Sequence, residues 1–282
     1  MGTANEKTIV LTNELLASKQ KLGPFVRPKR KRSNILGFEV DRMTLDECVH
    51  YAEQAILSRR QLHIVLVNAA KIVKALSDPE LAGIIRSADL VGADGVPIVW
   101  ASRMLSWPLP GRVNGTDLMD RLIELSAEKG YGLYLLGARQ NVIERVVKNL
   151  KRKYPNIRIV GYRNGYFQTK ADMHHAVRKI AQSNADILLV GMGTPMKEKW
   201  VRSHIQELGV PVIHGVGGSF DILGGLTKRA PLWMQRYGLE WFYRLMQEPR
   251  RLWKRYLVTN VLYIFLVLKE AVKRFFRFRN ET

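Results

Sequence analysis

At 282 residues with 46% hydrophobic side chains, the chain is long enough to bury a substantial core, and its single cysteine, Cys48, excludes an internal disulfide framework. Its formal net charge of +20 sits mostly at the ends: residues 1–33 carry 8 basic and 2 acidic side chains, and residues 228–282 carry 13 and 4. Basic ends attract polyanions, either nucleic acid or an anionic membrane face; with no apolar segment resembling a secretory signal at the N-terminus, a cytoplasmic protein is expected.

Residues 1–33 lack sustained periodicity, finish in "RPKRKR" (Arg27 to Arg32) and are read as a disordered basic arm. A regular pattern begins at "ILGFEV" (Ile35 to Val40), and Thr44 with Glu47 has the spacing of a capping box ahead of an amphipathic helix reaching about Leu57. "HIVLVN" (His63 to Asn68) is a strand-like apolar run, followed by helical segments to about Arg86. Further runs recur at "DLVGA", "GLYLLG", "IRIVG", "DILLVG" and "VPVIHG", with helical patterns at about 95–106, 115–129, 140–153, 171–183 and 195–207 between them. Continuous apolar strands alternating with helices predict an α/β fold: a largely parallel sheet covered on both faces, spanning 34–227. Beyond Gly225 the chain turns helical, aromatic and basic, which marks 228–282 as an appendage.

In a parallel sheet the strand ends share one edge, so Asn68, Asp94, Gly137, the stretch Gly191 to Gly193 and the stretch Gly215 to Gly218 converge there. Asp94, in "LVGADGVPIVW", either faces a substrate or caps the helix that follows. The glycine-ended turns are suited to a diphosphate, yet tight turns alone also require glycine. In "GRVNGTDLMDRL", Arg112 is a candidate phosphate ligand, and the alternative is a surface arginine beside a helix cap at Thr116 or Asp117. The six histidines are scattered and no D-x-D pair occurs, so neither a metal nor an organic cofactor is expected.

Taken in order, "NAAKIV" after Asn68, "ADGVPIVW" around Asp94, "RVNGTDLM" from Arg112, "LYLLGA", "GYRNGYF", "GMGTPMKEKW", "GVGGSFDILGG" and "KRAPLWMQRYGLEWFYRLMQEPRR" resemble the WecG/TagA/CpsF family of glycosyltransferases over about residues 34–260. That resemblance implies a Rossmann-like core and inverting, metal-independent transfer of a sugar from a UDP-sugar to a polyprenyl-diphosphate-linked saccharide, in cell-envelope or exopolysaccharide synthesis. It implies that Asp94 is the general base and that Asn68 binds the sugar or orients that base. Arg112 and Lys197, with backbone N–H groups, are then expected to stabilise the leaving diphosphate. Asn114, Gly115, Asp117, Gly137, Gly193 and Glu198 complete the expected substrate site. The chain departs from the family's usual pattern at Met196 and Lys197, where a basic residue and a glutamine are usual, and at Leu66, where threonine is often found.

In the appendage, aromatic residues alternate with arginines, which also suits single-stranded nucleic acid. The run "YLVTNVLYIFLVL" (Tyr256 to Leu268) is too apolar for that partner and, at 13 residues, too short to span a bilayer comfortably. A helix lying in the membrane interface fits better, on the inner face of the plasma membrane, with Arg244, Arg251, Lys254 and Arg255 on headgroups or acceptor diphosphate. Arg244 and Arg251 share a helical face if Pro249 leaves the helix unbroken. Packing of 256–279 on the core is the disfavoured alternative. Two functions stay open: the membrane-associated glycosyltransferase, and a non-catalytic basic membrane or nucleic-acid adaptor. Neither the donor sugar nor the oligomeric state, a homo-oligomer included, follows from the sequence.

Overall fold

Seven strands form the central sheet of the computed structural model, which describes residues 22–24 and 31–281. They are β1 (Gly23–Pro24), β4 (Arg60–Val67), β5 (Leu90–Ala93), β6 (Leu133–Gly137), β7 (Ile159–Arg163), β8 (Ile187–Gly191) and β9 (Val212–Gly215). Strands β2 (Arg32–Ile35) and β3 (Phe38–Asp41) form a separate antiparallel hairpin. The sheet runs β4-β9-β8-β6-β7, and β4 pairs on its other side with β1 along its first residues and β5 along its last. Every pairing within it is parallel, so every carboxyl end opens on one edge. All of β5, β6 and β8 is buried, as helices on both faces demand.

Helix α1 (Leu45–Leu57) starts with the expected capping box, Thr44 accepting from the Glu47 amide and Glu47 accepting from that of Thr44. It covers one face together with α5 (Gly115–Lys129), α6 (Gln140–Lys153) and the short α9 (Ser219–Leu223). On the other face lie α2 (Ala69–Ser77), α3 (Pro79–Ser87) and α4 (Val96–Leu105), with α7 (Lys170–Gln182) and α8 (Met196–Leu208) over the far strands. The hairpin is tied to β5 through Asp41, whose carboxylate accepts from Val91 N at 2.7 Å and Arg32 Nε at 2.9 Å. Residues 1–21 and 25–30 of the expected arm lie outside the described residues; Arg32 and Ser33, placed in that arm by the pattern, pair with Asp41 and Val40.

The appendage comprises α10 (Leu232–Arg236), α11 (Glu240–Gln247) and α12 (Pro249–Glu281). Two features differ from the sequence expectation. Glu248 leaves helical geometry (φ −132°, ψ 57°) and Pro249 opens α12, because proline suits a first helical turn but breaks an interior. Arg244 and Arg251 therefore belong to different helices. Nor is α12 detached: Tyr263 and Val267 are buried in the core cluster of α2 and α4, and Tyr263 Oη donates to Pro97 O at 3.4 Å. Its opposite side, carrying Leu257, Val261, Ile264, Phe265 and Leu268, is exposed. Among the described residues no helix is long and apolar enough to cross a membrane.

Candidate active site

The carboxyl ends of β4, β5, β8 and β9 meet α11 and α12 around a cavity of about 810 Å³, within the range of small-molecule sites. Asp94 stands on its wall where β5 stops, its amide donating to Val67 O at 2.8 Å. Its carboxylate does not cap the next helix, since α4 begins at Gly95 without a side-chain cap. Instead Oδ2 accepts from Asn68 Nδ2 and Oδ1 from the Gly115 amide, each at 3.3 Å. Asn68 is itself fixed, because its Oδ1 caps α2 by accepting from Lys71 N at 3.0 Å. Two helix starts thus aim the carboxylate into the cavity, and lone pairs remain on both of its oxygens.

Arg112 lies on the same wall but is not free. Its Nη1 donates to Glu240 Oε2 at 2.7 Å, and Asn114 Nδ2 donates to the same oxygen at 3.0 Å. The helix cap expected at Thr116 or Asp117 is Asn114, whose Oδ1 accepts from the amides of both residues. Asp117 pairs instead with Arg229, which also reaches Glu240 Oε1 at 3.5 Å. Loop 111–117 is consequently clamped to the first residue of α11.

Below Asp94, Lys71 Nζ and Lys197 Nζ converge on one buried carboxylate oxygen, Glu198 Oε1, at 2.8 and 2.9 Å. Lys197 also donates to Thr194 Oγ1 at 2.6 Å, and Lys71 to Leu66 O at 2.7 Å. Gly215 permits this approach: a Cβ there would stand 2.7 Å from Lys197 Cε. Burial disfavours charge on Glu198, yet the two ammonium groups outweigh it and hold the carboxyl down at about 2. Burial, reinforced by Lys71, lowers Lys197 to about 8 against the opposing pull of Glu198 and Asp94.

Of the expected substrate residues, Asn68, Asp94, Arg112, Asn114, Gly115, Gly193 and Lys197 line the cavity, as does Arg244 beside Gly218. Three do not. Glu198 sits behind the two lysines, Asp117 faces Arg229, and Gly137 (φ +140°) has no Cβ because one would run into the Gly191 carbonyl. The side chains of Arg251, Lys254 and Arg255 lie outside the described residues. Lys71, Arg229 and Glu240 were not among the expected site residues. The available signals were Lys71 three residues after Asn68, and an acid within a strongly basic segment.

The model of the glycosyl transferase WecG/TagA/CpsF family matches residues 33–277. The chain belongs to that family. It is 37% identical over 221 residues, 78% of this chain and 83% of the relative, to an N-acetylglucosaminyldiphosphoundecaprenol N-acetyl-β-D-mannosaminyltransferase of Bacillus subtilis (strain 168). Proteins of the same name from Bacillus spizizenii (strain W23) and Staphylococcus aureus (strain MW2) are 34% and 29% identical, over 73% and 88% of this chain and 78% and 97% of theirs. The family model therefore spans both the sheet and most of the appendage.

Proposed function

We propose that the chain transfers a sugar from a UDP-sugar to a polyprenyl-diphosphate-linked saccharide in cell-envelope synthesis, with inversion and with Asp94 as general base. The observation that carries this reading is the Asp94 carboxylate, gripped by Asn68 and Gly115 on the wall of a cavity that also holds Arg112 and Lys197. The acceptor hydroxyl gives its proton to Asp94 as its oxygen forms a bond to the anomeric carbon. The bond from that carbon to the diphosphate breaks on the opposite face, and UDP leaves. The β configuration in the relatives' names fits inversion of an α-linked nucleotide sugar.

Leaving-group charge falls to Arg112, to Lys197 and to backbone N–H groups of the glycine-ended loops. The relatives act on N-acetylglucosaminyldiphosphoundecaprenol by name, so the acceptor here is taken to be lipid-linked and the protein to work at the inner face of the plasma membrane. The direct test incubates full-length protein with UDP-N-acetylmannosamine, and in parallel with other UDP-sugars, on a lipid-diphosphate-linked N-acetylglucosamine, with product mass as readout. Failure of every UDP-sugar to give a product would overturn the reading.

A further inference from the structure

We propose that Glu240, the first residue of α11, is a positioning residue for this transfer: one carboxylate of the appendage sets both Arg112 and the hydrogen bond that holds Asp94. The inference rests on the reading of the site given above.

Glu240 is an odd residue to find here if the only task is to hold an anion. It lines the cavity and cancels positive charge on the wall that would receive a diphosphate. Its geometry explains its presence. Oε2 takes one donor of Arg112, at 2.7 Å, out of the five that a guanidinium offers, so the group is aimed rather than consumed. The same oxygen accepts from Asn114 Nδ2 at 3.0 Å, while Asn114 Oδ1 accepts from Thr116 N at 2.9 Å and Asp117 N at 3.2 Å. With donors on one end and an acceptor on the other both engaged, the Asn114 amide has one orientation. That cap holds the first turn of α5, whose Gly115 amide donates to Asp94 Oδ1. From Glu240 the chain of contacts reaches the proposed base through two residues. Arg229 secures the other side, bridging Glu240 Oε1 and the carboxylates of Asp117 and Asp120.

The two halves of this role are separable. Glu240→Gln keeps an oxygen for Asn114 and removes the charge that aims Arg112. Glu240→Ala removes both. In full-length protein, Glu240→Gln should weaken binding of UDP, and raise the UDP-sugar KM, about tenfold with kcat within about threefold of wild type. Glu240→Ala should show the same loss of UDP binding and, in addition, a kcat lowered tenfold or more. A merely structural contact would not split KM from kcat in this way. Equal effects of the two variants, losses that only track a fall in melting temperature, or tighter UDP binding in Glu240→Gln (the mark of an internal competitor for the diphosphate) would each overturn the proposal. The underlying reading fails separately, if wild-type protein does not bind UDP or if Asp94→Asn turns over normally.

Discussion

In the proposed mechanism Asp94 and Lys197 share one electrostatic problem, a base that acts beside groups that bind an anion. Asp94→Asn keeps the shape and one acceptor oxygen for its two N–H neighbours but removes the basic lone pair. Turnover should fall by roughly 10²-fold or more, the usual contribution of a positioned base, with UDP affinity nearly unchanged in calorimetry. Turnover within about threefold of wild type would remove Asp94 from that role. Lys197 is lowered from 10.5 to about 8, by burial first and Lys71 second. Between those values the folded protein binds fewer protons than the unfolded chain, so the cost of burying the charge is present below about pH 8 and fades as pH rises through that window. For binding the sign is opposite: the ammonium proposed to meet the diphosphate is lost as pH rises above about 8. The UDP-sugar KM of the wild type should therefore climb as pH passes 8, and Lys197→Gln should flatten that limb, measured as KM against pH from 6.5 to 9.5. That Asn68 and Asp94 stand together was legible in the sequence because strand ends in a parallel sheet share an edge, whereas Arg112 was legible only through the motif that carries the family resemblance. Glu240 was not, since its meaning comes from Arg112 and Asn114, 128 and 126 residues away.

The strands and helices of the core follow the apolar periodicity to within about three residues, because each buries a continuous run or one stripe. The misreadings concern ends and partners. Asn114 rather than Thr116 or Asp117 caps α5, a choice made by which side-chain oxygen meets the free amides. For helix α12 a place in the membrane interface was favoured over packing on the core, yet the helix is two-faced: Tyr263 and Val267 point inward, while Leu257, Val261, Ile264 and Leu268 point outward. An apolar run without polar gaps conceals such a division, since periodicity needs contrast to be seen. The division is testable. Tyr263 is 2% exposed, and Tyr263→Ala should cost about 3 kcal/mol, lowering the melting temperature by several degrees. Phe265, 58% exposed, has little packing to lose, and Phe265→Ala should leave the melting temperature within about a degree. Equal shifts would mean that α12 does not rest on α2 and α4 by that face.

At the scale of the whole molecule, the proposed function brings the carboxyl edge of the sheet to an acceptor tethered in a bilayer. The appendage closes over the carboxyl edge of the sheet, contributes Glu240, Arg244, Leu252, Tyr256 and Asn260 to the cavity lining, and turns an apolar stripe outward. Its net charge of +9, from 13 basic and 4 acidic residues, would draw that stripe onto anionic headgroups. Each basic residue near such a surface contributes about 1 kcal/mol, and salt weakens that attraction. Deleting the appendage would be a blunt test, because it strips Tyr263 and Val267 from the core and Arg229 and Glu240 from loop 111–117. Polar substitutions on the outward stripe avoid this. Ile264→Asn with Phe265→Asn should leave the melting temperature and UDP binding unchanged while reducing co-sedimentation with anionic vesicles about tenfold. Transfer to an acceptor embedded in those vesicles should fall with it, and transfer to a short-chain, water-soluble acceptor should persist. Raising the salt concentration should release the wild type in the same way. If the double variant binds vesicles as the wild type does, the stripe is not the membrane contact. If wild-type binding ignores both salt and lipid charge, insertion alone holds the protein there and the basic residues serve another purpose.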